Sequence, residues 1–168
     1  MTTLLRPVII LRLTLLAAFF SLAAAYTAQY GFNLAPCHLC LLQRVPFALV
    51  IVLSGLGLGR PRWRTGLIII IAIAFLVNSG IALYHTAVEQ HWISGPSGCT
   101  QEGGAPANQS MDDFLRRIQG APIVACDLPL WDFHGITMAE MNVAWSLLLS
   151  LFTFAALWQC HRKGQADA

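Results

Sequence analysis

Cys37-His38-Leu39-Cys40 is a C-x-x-C motif. Two thiols one helical turn apart can close a small disulfide ring. In such motifs, or beside a positive charge or a helix N-terminus, a thiol ionises well below its ordinary value of about 8.5. Arg44 stands one turn beyond Cys40, on the same helical face. A guanidinium there can hold a thiolate or polarise the carbonyl oxygen of a bound ligand, although an arginine near a membrane boundary also serves as a snorkelling anchor. Tyr84-His85 adds an imidazole that the hydropathy pattern places at similar depth. The remaining cysteines are Cys99, Cys126 and Cys160.

The elements that carry these groups follow from composition. Of 168 residues, 57% are hydrophobic and only 11% charged, against about 25% charged in a soluble domain. Too little polar surface exists to cover a water-soluble globule. A formal net charge of +2 supplies no basic patch for phosphates, so no nucleic-acid partner is expected. The expected fold is all-α: a polytopic membrane four-helix bundle forming one domain.

A crossing needs about 20 apolar residues to traverse roughly 30 Å of hydrocarbon. Four runs qualify, at approximately 8–29, 43–59, 66–88 and 142–159. The second needs the Cys40–Arg44 turn to reach full length. Arg6, Arg12, Arg60, Arg62, Arg64, Arg162 and Lys163 then share one side. By the positive-inside rule both termini are cytoplasmic, and the loops 30–42 and 89–141 lie outside. The first run, ending near Ala23-Ala24-Ala25, also has features of a cleavable signal peptide. Its continuation towards Phe32 favours a retained helix, and either way the following loop is external. In the long loop, Ser110 and Asp113 have capping-box spacing. Met111, Phe114, Leu115 and Ile118 fall on one helical face, predicting a short amphipathic helix lying in the membrane interface or packed on the protein's own loops. Gly55 and Gly59 form a GxxxG expected to be a helix-packing contact.

This topology places Cys37, Cys40, Cys99 and Cys126 in an oxidising compartment where disulfides persist, and Cys160 on the reducing side. The four exported thiols, with His38 nearby, admit a zinc site as an alternative. Cys99 and Cys126 form no second short knuckle, however, and the location favours disulfides, so no metal is expected. A structural subunit whose disulfides only staple loops is the third reading.

The run Cys37-His38-Leu39-Cys40-Leu41-Leu42-Gln43-Arg44 resembles the DsbB family of inner-membrane enzymes, which reoxidise the periplasmic thiol oxidase DsbA using a quinone. Tyr84-His85, Gly95-Pro96-Ser97-Gly98-Cys99, Cys126-Asp127 and Trp131–Met138 carry the same likeness. The resemblance covers nearly the whole chain. It implies a membrane oxidoreductase of the bacterial inner membrane with catalytic cysteines Cys37, Cys40, Cys99 and Cys126. Cys99–Cys126 would be the disulfide that meets a DsbA-like partner, with Cys99 forming the mixed disulfide. Electrons would pass to Cys37–Cys40, and Cys40 beside Arg44 would reduce the quinone, ubiquinone or menaquinone. His85 resembles a family histidine near the quinone pocket. Gln43 stands where some relatives carry an acidic residue.

Overall fold

The computed structural model describes residues 7–96, 125–127, 131–133 and 135–166. Cys99 and the helix expected over Ser110–Ile118 lie outside the described residues. Helix α1 (Pro7–Gly31) is followed by a short α2 (His38–Leu42) and by α3 (Arg44–Gly59). A tight Pro61–Trp63 turn leads into α4 (Arg64–Glu89). Two-residue strands β1 (Asp132–Phe133) and β2 (Ile136–Thr137) precede α5 (Met138–Ala166). Four segments are long and apolar enough to cross a membrane: Pro7–Gly31, His38–Gly59, Pro61–Glu89 and Met138–Cys160. The protein is therefore a multi-pass, all-helical membrane bundle.

The second span contains a break that has a simple cause. In a continuous helix the N–H of Pro46 would donate to the Leu42 carbonyl, but proline has no N–H and its ring clashes with that carbonyl. Helix α2 accordingly ends at Leu42, Gln43 forms a turn, and α3 restarts at Arg44 with Pro46 in its first turn, where proline costs little. At the other end of α3, Arg64 returns to donate to the carbonyls of Gly57 at 3.1 Å and Leu58 at 3.4 Å. Those carbonyls belong to the last turn, which has no helical partners of its own.

Helix α4 is the most buried span and packs chiefly on α5, while α1 packs on α3. The core is built from Ile10, Leu11, Val50, Ile68, Ile71 and Phe75, with Phe47 edge-on to Phe75 at 6.1 Å between centroids. Leu16, Phe19, Ile73, Leu76, Leu148, Leu151 and Phe154 instead face outward, as lipid-facing side chains do. Lipid gives helices no hydrophobic reason to associate, so small and polar residues do the joining. Between α4 and α5, Asn78 donates to Ser146 Oγ at 2.8 Å, Ser79 to the Val143 carbonyl at 3.1 Å and Ser150 to the Ala72 carbonyl at 2.8 Å. Thr14 and Ser54 share a 3.2 Å hydrogen bond between α1 and α3.

The glycine contact differs from the expected GxxxG. Gly55 and Gly59 face outward with open space where a side chain would begin. The buried glycine is Gly57, where an added Cβ would meet Leu11 Cδ1 at 2.8 Å. Two residues of helix separate Gly55 from Gly57, enough to turn the expected stripe away from α1.

Helix α5 begins at Met138, earlier than the apolar run around Asn142 suggested. Thr137 and Glu140 form a reciprocal capping box: Glu140 N donates to Thr137 Oγ1 at 3.3 Å and Thr137 N to Glu140 Oε2 at 3.1 Å. Two of the orphan donors at the helix start are thereby satisfied. Gly135, at φ +83°, makes the turn between β1 and β2, a conformation open to glycine at little cost. This start sets Thr137 against the C-terminal end of α4, where its hydroxyl donates to Glu89 Oε2 at 2.7 Å.

Candidate active site

Cys37 is the N-cap of α2. Its sulfur accepts from the backbone N–H of Cys40 at 3.3 Å, so the C-x-x-C spacing coincides with a helix start. The Cys37 thiol donates to Cys40 Sγ at 3.2 Å. That bond, together with burial, pushes the Cys37 thiol up to about 12. Cys37 is buried and Cys40 half-buried, so the two sulfurs differ in access as well as in hydrogen-bonding role. The accepting sulfur is the exposed one.

Cys126 joins them from the segment between α4 and β1. It is fully buried and packs in one cluster with Cys37, Leu39 and Val88, with Cys40 at its margin. Three of the four cysteines singled out in the sequence for redox chemistry therefore meet, and Cys99 lies outside the described residues.

His85, 2% exposed on α4, faces the pair. Its Nε2 is 3.5 Å from Cys37 Sγ and 3.5 Å from Glu89 Oε1, one turn along the same helix. Its Nδ1 is 3.0 Å from Gln43 Nε2. The amide chain sets the tautomer. Asn142 Nδ2 donates to Gln43 Oε1 at 2.6 Å, which leaves Gln43 Nε2 to donate to Nδ1. A neutral His85 then carries its proton on Nε2, directed at the sulfur and the carboxylate. Cys37, Cys40 and His85 place their donor atoms within 4.8 Å of one another, as a metal site would. In that tautomer the imidazole presents a proton where a metal ligand would present a lone pair.

Arg44 is positioned by α1. Its Nη1 donates to Gln29 Oε1 at 2.6 Å, and its guanidinium lies over the Tyr26 ring at 4.8 Å from the centroid. Tyr26 is itself stacked on Tyr30 at 6.2 Å. Both Cys40 and Arg44 line a cleft of about 650 Å³, within the range of small-molecule sites. Gln43, His85 and Glu89 complete its polar end, and Phe20, Phe47, Trp145 and Leu148 are among its apolar walls. The Trp145 indole N–H, donating to Ser21 Oγ at 3.0 Å, ties α5 to α1 across it.

Sequence reading brought together Cys37, Cys40, Arg44 and His85. It passed over Glu89, Asn142 and Gln29 as site residues. Glu89 had a readable signal, since i,i+4 spacing from His85 puts the two on one helical face. Gln29 and Asn142 come from helices remote in sequence and had none.

The family described as disulfide bond formation protein DsbB matches the chain over residues 7–156. Among curated proteins, the chain is similar to disulfide bond formation protein B of Shewanella sp. (strain MR-4), 30% identical over 137 residues and covering 79% of this chain and 77% of the relative. It is 30% identical over 150 residues to the protein of that name from Xanthomonas axonopodis pv. citri (strain 306), covering 84% of this chain and 85% of the relative. The protein of that name from Actinobacillus pleuropneumoniae serotype 5b (strain L20) is 26% identical over 151 residues, covering 86% and 83%. No solved structure matches the chain significantly.

Proposed function

The chain belongs to the DsbB family, a family of disulfide-forming membrane oxidoreductases, and on that premise we propose that it reoxidises a DsbA-like periplasmic dithiol oxidase and delivers the electrons to a membrane quinone. One observation carries the reading. The Cys37–Cys40 pair meets Cys126 on one side and an apolar cleft bearing Arg44 and His85 on the other.

Thiol–disulfide exchange proceeds by thiolate attack on a sulfur through mixed disulfides. In the pairing implied by the family, the partner's thiolate opens Cys99–Cys126 at Cys99 and releases Cys126 as a thiolate. Cys126 then attacks the Cys37 sulfur of the Cys37–Cys40 disulfide, against which it is packed, and Cys40 leaves as the thiolate. Attack by the partner's second thiol on the mixed disulfide frees its disulfide form, and Cys99 closing on Cys126 returns the electron pair to Cys37–Cys40. Cys40 is the sulfur on the cleft wall.

The cleft suits a flat, lipophilic carbonyl compound. Its walls are apolar, and its polar end offers one fixed cation and one imidazole N–H to oxygen atoms. Arg44 and His85 would hold the quinone there, and the quinone would supply a two-electron, two-proton acceptor. Ubiquinone and menaquinone both fit that chemistry. The side of the membrane follows from the basic residues: Arg60, Arg62 and Arg64 cluster at the α3–α4 turn, so this turn and both termini are cytoplasmic and the sulfur pairs periplasmic.

The test is reduction of a soluble quinone analogue by purified protein supplied with a reduced DsbA-type donor, followed by quinone absorbance. Cys40→Ser is expected to abolish it. A Cys40→Ser protein that reduced quinone at the wild-type rate would refute the assignment.

A further inference from the structure

Discharge of the electron pair from the cleft pair raises a proton question. Forming a quinol takes up two protons. If Cys40 acts as thiolate and Cys37 as thiol, closing their disulfide releases one proton only. The second must come from another group.

Glu89 is placed to supply it. Its carboxylate is 4% exposed on the last turn of α4, with Oε1 3.5 Å from His85 Nε2 and Oε2 accepting from Thr137 Oγ1 at 2.7 Å. It lines the same cleft as Cys40 and Arg44. The next residues, Gln90 and His91, are exposed, so Glu89 sits between the buried imidazole and the outer surface. Gln43, the other partner of His85, is an amide and carries no exchangeable acid proton. Among the described residues, Glu89 is the one carboxylate in contact with His85. Thr137 on one oxygen and the His85 imidazole beside the other fix the position of this buried carboxyl at the cleft.

We infer that Glu89 is the proton-supplying positioning residue of this site, acting through His85 on the electron acceptor in the cleft. The inference rests on the quinone reading above. The step balances: Cys40 thiolate, Cys37 thiol, protonated Glu89 and quinone yield the Cys37–Cys40 disulfide, Glu89 carboxylate and quinol. Two electrons leave sulfur, one proton comes from Cys37, and one comes from Glu89 by way of His85. Glu89 then regains its proton from water at the outer end of α4. The charged and titratable groups around it are His85 on its own helix, Cys37 and Cys40 at α2, Cys126 beside them, Arg44 on the cleft wall, and Glu140 of α5 beyond Thr137.

Glu89→Gln tests this, because glutamine still accepts from Thr137 but cannot supply the proton. With a reduced DsbA-type donor and a short-chain benzoquinone, kcat is expected to fall about 10²-fold, the lower end of what a general acid contributes. KM for the benzoquinone should change little. Glu89→Asp, which keeps an acid proton, should recover most of the lost kcat. A readout independent of turnover is the infrared difference spectrum of quinone-free protein, reduced minus oxidised, in which Glu89→Gln should remove a carboxyl signal. Wild-type kcat in Glu89→Gln would overturn the inference, as would equal loss in both variants. If Glu89→Gln does not fold, Glu89→Asp and the wild-type infrared spectrum decide, and absence of any carboxyl signal overturns it. Failure of the quinone reading itself would show separately, as undiminished quinone reduction by Cys40→Ser.

Discussion

His85 Nε2 lies 3.5 Å from Cys37 Sγ, which joins the C-terminal end of one long helix to the cap of a short one. The imidazole can address the sulfur only because Gln43 holds its other nitrogen. Gln43→Leu would leave Asn142 Nδ2 and His85 Nδ1 without this partner, at a cost of about 1–3 kcal/mol for each buried group stranded. The melting temperature in detergent should fall accordingly. Gln43→Glu should instead keep most of the stability while accepting a proton from Nδ1, and nitrogen NMR of the ring should show the tautomer reversed.

Cys37 should ionise late in the reduced protein. Its thiol is pushed from 9.0 to about 12, first by its hydrogen bond to Cys40 and then by burial. Because the folded value is raised, the contribution to stability is fully present below about 9 and is lost as pH rises towards about 12. Iodoacetamide labelling followed by peptide mass spectrometry should show Cys40 modified first. The rate at Cys37 should stay flat through the pH range in which an ordinary thiol accelerates. Acceleration of Cys37 near pH 9 would contradict the hydrogen-bond arrangement.

Arg44→Ala should raise KM for quinone severalfold with a smaller effect on kcat, since the guanidinium is proposed to hold the acceptor. Tyr26→Leu should raise KM less. It removes only the ring beneath Arg44, worth about 0.5–2 kcal/mol, and leaves the Gln29 bond. Arg44→Lys should not restore KM, because an ammonium cannot reproduce the planar fork that spans Tyr26 and Gln29. Steady-state kinetics across quinone concentration separates these outcomes.

Gly57→Val should destabilise the bundle by about 1–3 kcal/mol, as overpacking does, by driving Leu11 off α3. Gly55→Ala should be neutral or slightly stabilising, because its side chain enters open space and alanine favours the helix by about 1 kcal/mol. Thermal melts of the two variants in one detergent provide the comparison.

The contrast between these glycines shows where sequence reading succeeds and where it stops. Four crossings were legible because lipid demands long uncharged runs. The Cys40–Arg44 and Tyr84-His85 groups were legible because each lies within a few residues of sequence, even though Pro46 breaks the helix between Cys40 and Arg44. Helix rotation was not. Whether Gly55 or Gly57 meets α1 depends on how α1 is turned, and an apolar helix with lipid on one side and protein on the other carries little amphipathic signal. The start of α5 was missed for a different reason. Thr137 and Glu140 have the same capping spacing as Ser110 and Asp113, but the polar residues around them read as loop. Glu89 went unassigned because its meaning depends on Thr137, which is far away in sequence.

Phe20 and Leu148, both largely exposed, stand on α1 and α5 at the edge of the cleft. With a quinone as the proposed acceptor, an opening between them would connect the reaction chamber to a two-dimensional solvent. The abundance that governs turnover would then be the acceptor's mole fraction among lipids and not its molarity in water. Diluting the protein's micelles or nanodiscs with extra lipid at fixed total quinone should slow the reaction, as though substrate had been withdrawn.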